Sequence, residues 1–135
     1  MRYSVKVICR RGNNYEWQYN EREEAIARIE VVKNQPSLCK VIEVLRVALL
    51  NNATQTVERI LVYADGKLQE DLYDGQMVQL IDEEDYIYKI SNIHEDIGSC
   101  LITCLNSKLS LAPCMQVDIE SVCNVFAGKG EGNNE

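Results

Sequence analysis

Short runs in which apolar and polar residues alternate are the feature that most constrains the fold of this chain. Residues 3–9, YSVKVIC, and residues 15–20, YEWQYN, each place large side chains at every second position. A period of two is typical of a half-buried β-strand, because strand side chains point alternately to opposite faces of a sheet. Turn residues occupy 12–14 between the two runs, so we predict an antiparallel hairpin.

A helix is predicted directly after this hairpin. Asn20 lies three residues before Glu23, which resembles a capping box, and acidic residues in the first turn suit the helix dipole. Apolar residues then recur at helical spacing until residues 34–36, Asn-Gln-Pro, end the pattern. We expect this helix to cover one face of the sheet.

The next stretch, residues 38–50 (LCKVIEVLRVALL), carries Val, Ile and Leu on both faces, which predicts a long central strand. Residues 56–64 are predicted to pair back with it. The dipeptide Asp65-Gly66 is one that two-residue hairpin turns prefer, because both central positions need a positive φ. The polar residues 67–73 are expected to return as a short edge strand.

The second half of the chain predicts a different unit. Asp74-Gly75 is another turn signal, and beyond it four apolar runs are separated by polar segments, as in a meander of strands: MVQLI, YIYKISNI, SCLITCL and MQVDIESVCNV. Residues 75–126 resemble a Src-homology-3-like small β-barrel, which has G-x-x-V-x-L at its entrance, here Gly75 to Leu80 (GQMVQL). The resemblance implies a barrel-like fold and no particular activity.

These elements assign the chain to the α+β class. Residues 1–73 are predicted to form an antiparallel β-β-α-β-β unit with one helix packed on the sheet. Residues 74–127 are predicted to form a small mostly-β barrel-like unit, and residues 128–135 a flexible tail without apolar side chains. No apolar run reaches the roughly 18 residues that a bilayer span needs, so we expect a cytoplasmic protein without membrane contact.

Charge is distributed unevenly along the chain, whose formal net charge is −7. Residues 1–72 hold 11 Lys or Arg against 10 Asp or Glu, a net charge of +1, whereas residues 73–135 hold 3 against 11, a net charge of −8. Affinity for nucleic acid comes largely from Lys and Arg that neutralise phosphates. Direct nucleic-acid binding by the acidic half is therefore not expected.

The acidic half suggests instead a surface for a basic partner. Residues 82–85, DEED, stand between two predicted strands, and residues 95 and 96 stand in the next turn. Four consecutive acids at a hairpin tip face water, where general acid and base catalysis is not favoured, and they lack the spacing and glycine of a calcium loop. The predicted contact residues are Asp82, Glu83, Glu84, Asp85, Glu95 and Asp96.

The aromatic strand of the first half suggests an alternative site. Aromatic rings interleaved with arginine can stack a nucleotide-like small molecule while a guanidinium group holds its phosphate. The same rings at period two are also what a helix packs against, and for Trp17 we favour this core interpretation over ligand binding. The candidate ligand-binding residues are Arg10, Arg11, Tyr15 and Trp17.

The six cysteines are expected to be reduced thiols that act as small buried hydrophobic groups. A zinc site at Cys100, Cys104, Cys114 and Cys123 is the alternative, although structural zinc usually takes tighter pairs such as C-x2-C. His94, the one histidine, is predicted to be a solvated turn residue rather than the partner of a catalytic cysteine. No catalytic or phosphate-binding motif occurs, so no enzyme activity, cofactor or metal is expected.

Together these patterns predict a non-enzymatic binding protein whose acidic half contacts a basic protein surface, in the style of a phage or mobile-element accessory protein. The alternative is an oligomeric protein that binds a nucleotide-like small molecule. A homo-oligomer is expected in both cases, because many short apolar strands leave sheet edges that pair with another chain.

Overall fold

The computed structural model of this chain describes residues 1–81, 83–94, 97–106 and 114–124. The chain divides into two compact units, Met1–Leu72 and Tyr73–Glu135. Two five-stranded antiparallel sheets and two short helices make the described structure α+β, with strands predominating.

The first sheet has the strand order β2-β1-β3-β4-β5, so β3 is central and β2 and β5 are its edges. Val5 pairs with Trp17 across β1 and β2, which confirms the predicted first hairpin. The elements in chain order are β1 (Tyr3–Cys9), β2 (Tyr15–Tyr19), α1 (Arg22–Lys33), α2 (Pro36–Val41), β3 (Val44–Asn51), β4 (Thr56–Ala64) and β5 (Lys67–Tyr73).

Helix α1 covers one face of this sheet, as predicted. Its buried residues Ala25, Ile29 and Val32 recur every three or four positions and pack against the sheet face that carries Val5 and Leu61. Removing apolar surface from water contributes roughly 25 cal/mol per Å². This stripe, rather than the helix propensity of α1, therefore holds the helix in place.

The predicted capping box at Asn20 and Glu23 was wrong. The N-cap of α1 is Glu21, whose backbone is extended and whose side chain makes no capping hydrogen bond. Instead, Arg22 Nε donates to Glu58 Oε1 of β4 at 2.8 Å. The start of α1 thus has a tertiary ion pair and no side-chain cap.

The strand predicted over residues 38–50 begins only at Val44, because Pro36–Val41 form α2, which the sequence did not predict. Proline is favoured in the first helical turn, where its fixed φ fits and its missing N–H is not needed. Glu43 then takes a φ of 53° and leads the chain into β3. A short run of apolar residues is compatible with a helix as well as with a strand, which explains the error.

The second sheet has the strand order β10-β6-β7-β8-β9. The run MQVDIESVCNV, predicted as one strand, is divided by a 3₁₀-helix at Ile119–Ser121. The strands are β6 (Met77–Leu80), β7 (Glu83–Ile93), β8 (Ser99–Cys104), β9 (Cys114–Asp118) and β10 (Val122–Asn124).

The second sheet cannot be flat. Strands β9 and β10 are its two edges, yet only the three residues Ile119–Ser121 join them. The edges of a flat five-stranded sheet lie roughly 19 Å apart, whereas three residues of 3₁₀-helix advance about 6 Å. The sheet therefore curls until its edges approach each other.

The predicted four-residue acidic hairpin tip needs correction. Leu80 pairs with Glu83, so Glu83 belongs to a strand and not to the predicted tip. The backbone of residues 83–85 belongs to β7, while Asp82 lies outside the described residues.

Candidate binding surfaces

The aromatic side chains of β2 and one arginine of α1 form a continuous surface, here named the aromatic edge (Tyr15, Trp17, Tyr19 and Arg28). The pairing of β2 with β1 places all three rings on the sheet face that α1 covers. The rings of Tyr15 and Trp17 are stacked, with centroids 6.4 Å apart and an interplanar angle of 16°. Arg28 lies with its guanidinium carbon 4.6 Å from the Trp17 ring centroid, and its Nε donates to the Tyr19 hydroxyl at 2.8 Å.

The aromatic edge is partly core and partly surface. Trp17 and Tyr19 are half-buried and pack against the core under α1, while Tyr15 is 43% exposed. A guanidinium over an indole ring stabilises by about 0.5–1 kcal/mol at an exposed site. Tyr15 is thus the ring of this surface that an incoming group reaches most easily.

Arg10 and Arg11 lie in the turn between β1 and β2 and are exposed. Arg11 Nη2 stands 3.4 Å from Glu43 Oε1 with its side chain 79% exposed, and the backbone N–H of Arg10 donates to the Glu43 carbonyl at 2.9 Å. The turn is held by Asn14, whose Oδ1 accepts from the Cys9 N–H at 3.0 Å.

The structure therefore brings Tyr15 and Trp17 together, but the arginine over the ring is Arg28, which the sequence interpretation missed. The sequence did contain a sign that Arg28 lies near the sheet, because Arg28 follows the buried Ala25 by three positions on α1. Which strand Arg28 contacts could not be predicted without knowing how α1 packs on the sheet.

The predicted acidic contact residues are only partly described. Asp82, Glu95 and Asp96 lie outside the described residues, and Glu83, Glu84 and Asp85 are placed in β7 by their backbone. Their role as a contact surface stays a prediction.

The structure does not bring together the four cysteines of the alternative zinc site, Cys100, Cys104, Cys114 and Cys123. Cys114 pairs across the sheet with Thr103, the neighbour of Cys104, so its side chain points away from the face that carries Cys100 and Cys104. Among the described residues, no three His, Cys, Asp or Glu side chains are grouped so that they could hold a metal ion.

All six cysteines are free thiols. Cys9, Cys39, Cys100 and Cys104 are buried, as predicted. Cys114 is exposed instead, with its Sγ 3.2 Å from Thr103 Oγ1 on the outer face of the second sheet.

Cys100 is not poised as a nucleophile beside His94. Burial raises the pKa of the Cys100 thiol to about 11, so the thiol is protonated at neutral pH and reacts slowly. His94 is half-buried rather than solvated, which corrects the prediction. Its Nε2 is buried and has no hydrogen-bond partner within the described part of the chain.

In the part of the chain that the structure describes, neither helix has the length and apolar character that crossing a membrane requires. Comparisons of the chain with protein-family models, with curated proteins and with solved structures found no match.

Proposed function

We propose that this protein is a non-enzymatic binding protein whose second unit contacts a basic partner. The proposal rests on one observation, which is that the two compact units differ in net charge. Residues 1–72 have a net charge of +1, from 11 basic and 10 acidic residues, and residues 73–135 have a net charge of −8, from 3 and 11.

Ion pairs inside the first unit take up several of its carboxylates. Arg22 Nε lies 2.8 Å from Glu58 Oε1, and Asp71 Oδ2 lies 2.7 Å from Arg59 and 3.0 Å from Lys33. The second unit has eight more carboxylates than cations and cannot neutralise them in the same way. A surface of one sign speeds association with an oppositely charged partner and selects against partners of the same sign.

A barrel-like second unit is part of the same proposal. The curled sheet, whose edges β9 and β10 are joined by three residues, supports the resemblance of residues 75–126 to a Src-homology-3-like small β-barrel. Contact residues on a rigid scaffold bind with a lower entropic cost of ordering. The contact residues proposed for this unit are those predicted from the sequence. They are Asp82, Glu83, Glu84, Asp85, Glu95 and Asp96.

Binding to poly-lysine, a model basic polypeptide, tests this function in the full chain. We expect binding that weakens steeply as ionic strength rises, because salt screens exposed charges. Neutralising residues 82–85 as Asp82→Asn, Glu83→Gln, Glu84→Gln and Asp85→Asn is expected to weaken binding roughly tenfold or more at low salt, measured by isothermal titration calorimetry.

A matched control separates a local surface from total charge. It neutralises four exposed acids of the first unit, Glu21, Glu23, Glu24 and Asp65, to the corresponding amides. Both variants have the same net charge, so the long-range contribution of net charge is the same in both. Equal losses of affinity in the two variants contradict the proposed contact site.

A second candidate function is binding of a nucleotide-like small molecule by an oligomer at the aromatic edge. The stacked pair of Tyr15 and Trp17, with Arg28 at the ring and Arg10 and Arg11 in the adjacent turn, favours it.

This candidate predicts that freshly purified protein carries a ligand. Denatured protein is expected to release a compound that absorbs at 260 nm, visible by mass spectrometry. Tyr15→Ala is expected to remove most of it, because base-aromatic stacking contributes about 1–3 kcal/mol. The candidate is contradicted if wild-type protein releases no ligand, or if wild type and Tyr15→Ala release the same amount.

A further inference from the structure

Strand β2 leaves one edge of the first sheet open. Of the described strands, only β1 pairs with it, and three of its five residues, Tyr15, Glu16 and Gln18, are exposed. Natural edges are usually blocked by lysine, proline or a bulge. Strand β2 contains no lysine or proline, and its pairing with β1 runs without a register shift. It thus has a row of backbone groups that can extend a sheet.

The opposite edge of the same sheet differs. Strand β5 has three charged residues, Lys67, Glu70 and Asp71, against the single Glu16 of β2, and charges on an edge discourage strand addition. Of the two edges, β2 is the one suited to accept another strand.

The residue pattern of β2 is symmetric about its centre. Its five residues are Tyr, Glu, Trp, Gln and Tyr. If a second β2 lies antiparallel with Trp17 opposite Trp17 of the other copy, Tyr15 faces Tyr19 and Glu16 faces Gln18 on both sides of a twofold axis. A carboxylate then accepts from an amide twice, since a twofold interface repeats every contact. Within one chain Gln18 Nε2 already donates to Glu16 Oε2 at 3.0 Å, so the two groups suit each other chemically.

The helices leave room for this pairing. Helix α1 contacts β1, β2 and β3, which centres it over β1. In a sheet continued through two copies of β2, the two β1 strands lie three strand spacings apart, roughly 14 Å. Packed helices need only about 8–10 Å between their axes, so the two copies of α1 do not collide.

We infer that the occupant of this edge is a second copy of this chain, which pairs β2 with β2 antiparallel about Trp17 to form one continuous ten-stranded sheet. The inference is independent of the proposed contact of the second unit with a basic partner. It gives the predicted homo-oligomer a defined interface and a twofold symmetry.

Two substitutions at the exposed Gln18 test the pairing in opposite directions. Gln18→Glu places two like-charged pairs across the axis, and Gln18→Lys places two opposite-charged pairs there. We expect the dimer dissociation constant to rise roughly threefold to tenfold in the first variant and to fall by a similar factor in the second. Sedimentation velocity over a wide range of concentration measures both, and the difference should shrink at high ionic strength.

The double variant Glu16→Lys with Gln18→Glu restores opposite charges across the axis and is expected to dimerise again. Circular dichroism of each variant confirms that the sheet is retained. A wild-type chain that stays monomeric throughout overturns the inference. So does a dimer whose dissociation constant is the same in Gln18→Glu and Gln18→Lys.

Discussion

Gly66→Ala is expected to destabilise the first unit by roughly 3 kcal/mol, because two separate penalties add at this position. Gly66 has a φ of +73°, which residues with a Cβ adopt at a cost. A Cβ at Gly66 also meets Lys40 Cα of α2 at 2.5 Å and the Cys39 carbonyl oxygen at 3.1 Å. The contacts are backbone atoms, so relief requires α2 to move away from the β4-β5 turn.

Thermal unfolding followed by circular dichroism measures this effect, and a fall of roughly 10 °C in the midpoint is expected. Gly12→Ala is the matched control. Gly12 has a φ of +82°, but a Cβ there meets nothing within 4 Å, so only the backbone penalty of about 1 kcal/mol applies. Equal losses at the two glycines contradict the close packing of α2 on the turn.

Asp71→Ala is expected to cost about 2–3 kcal/mol at neutral pH, because it removes the carboxylate that binds the buried Arg59 guanidinium through both of its oxygens. Arg59 is 5% exposed, and its Nε and Nη2 donate to the two oxygens of Asp71 at 2.8 and 2.7 Å. Lys33 Nζ lies 3.0 Å from the same carboxylate, and Arg59 also reaches Glu30 at 2.8 Å. Urea unfolding at pH 7 measures the loss.

Glu30→Ala is the control for Asp71→Ala. Glu30 contacts the same guanidinium through one oxygen, and its side chain is 44% exposed against 19% for Asp71. Solvent screens a pair of this kind, so a loss below about 1 kcal/mol is expected. If the two variants lose the same stability, the bidentate pair of Arg59 in β4 with Asp71 in β5 does not contribute more than the single contact of Glu30.

The stability difference between wild type and Asp71→Ala should also depend on pH. Burial by itself raises the pKa of Asp71, but hydrogen bonds from Arg59 and Lys33 outweigh it and hold the pKa below its ordinary value. A carboxyl group with a lowered pKa in the folded state stabilises fully above its unfolded pKa of about 4. The stabilisation by Asp71 is lost as pH falls through the pKa of its folded state. The difference in the free energy of unfolding between wild type and Asp71→Ala should therefore become smaller in acid.

Much of the fold followed from local patterns in the sequence. Strict alternation predicted β1 and β2, and the Asp65-Gly66 turn takes positive φ at both residues, 53° and 73°, as its composition predicted. Helix α2 was missed because residues 38–43, LCKVIE, are too few for their apolar positions to separate a helix from a strand. The 3₁₀-helix that begins at Ile119 was missed because apolar and polar residues alternate on both sides of it, as they do in a single strand.

The surfaces depended more on tertiary packing. The stacking of Tyr15 on Trp17 follows from their spacing of two in one strand, but Arg28 reaches Trp17 only because α1 packs against β2. The position of Cys114 on the outer face required the register of β9 against β8. Sequence spacing alone does not supply a register, since a shift of one residue moves every side chain to the other face.

The proposed function requires that the second unit, and not the first, contacts a basic partner. A titration of the ¹⁵N-labelled full chain with poly-lysine at low salt, followed by amide chemical shifts, shows which unit makes the contact. We predict that the shifted amides fall within residues 73–135, cluster around residues 82–85, 95 and 96, and return to their free positions at high salt. Shifts confined to residues 1–72 contradict the account.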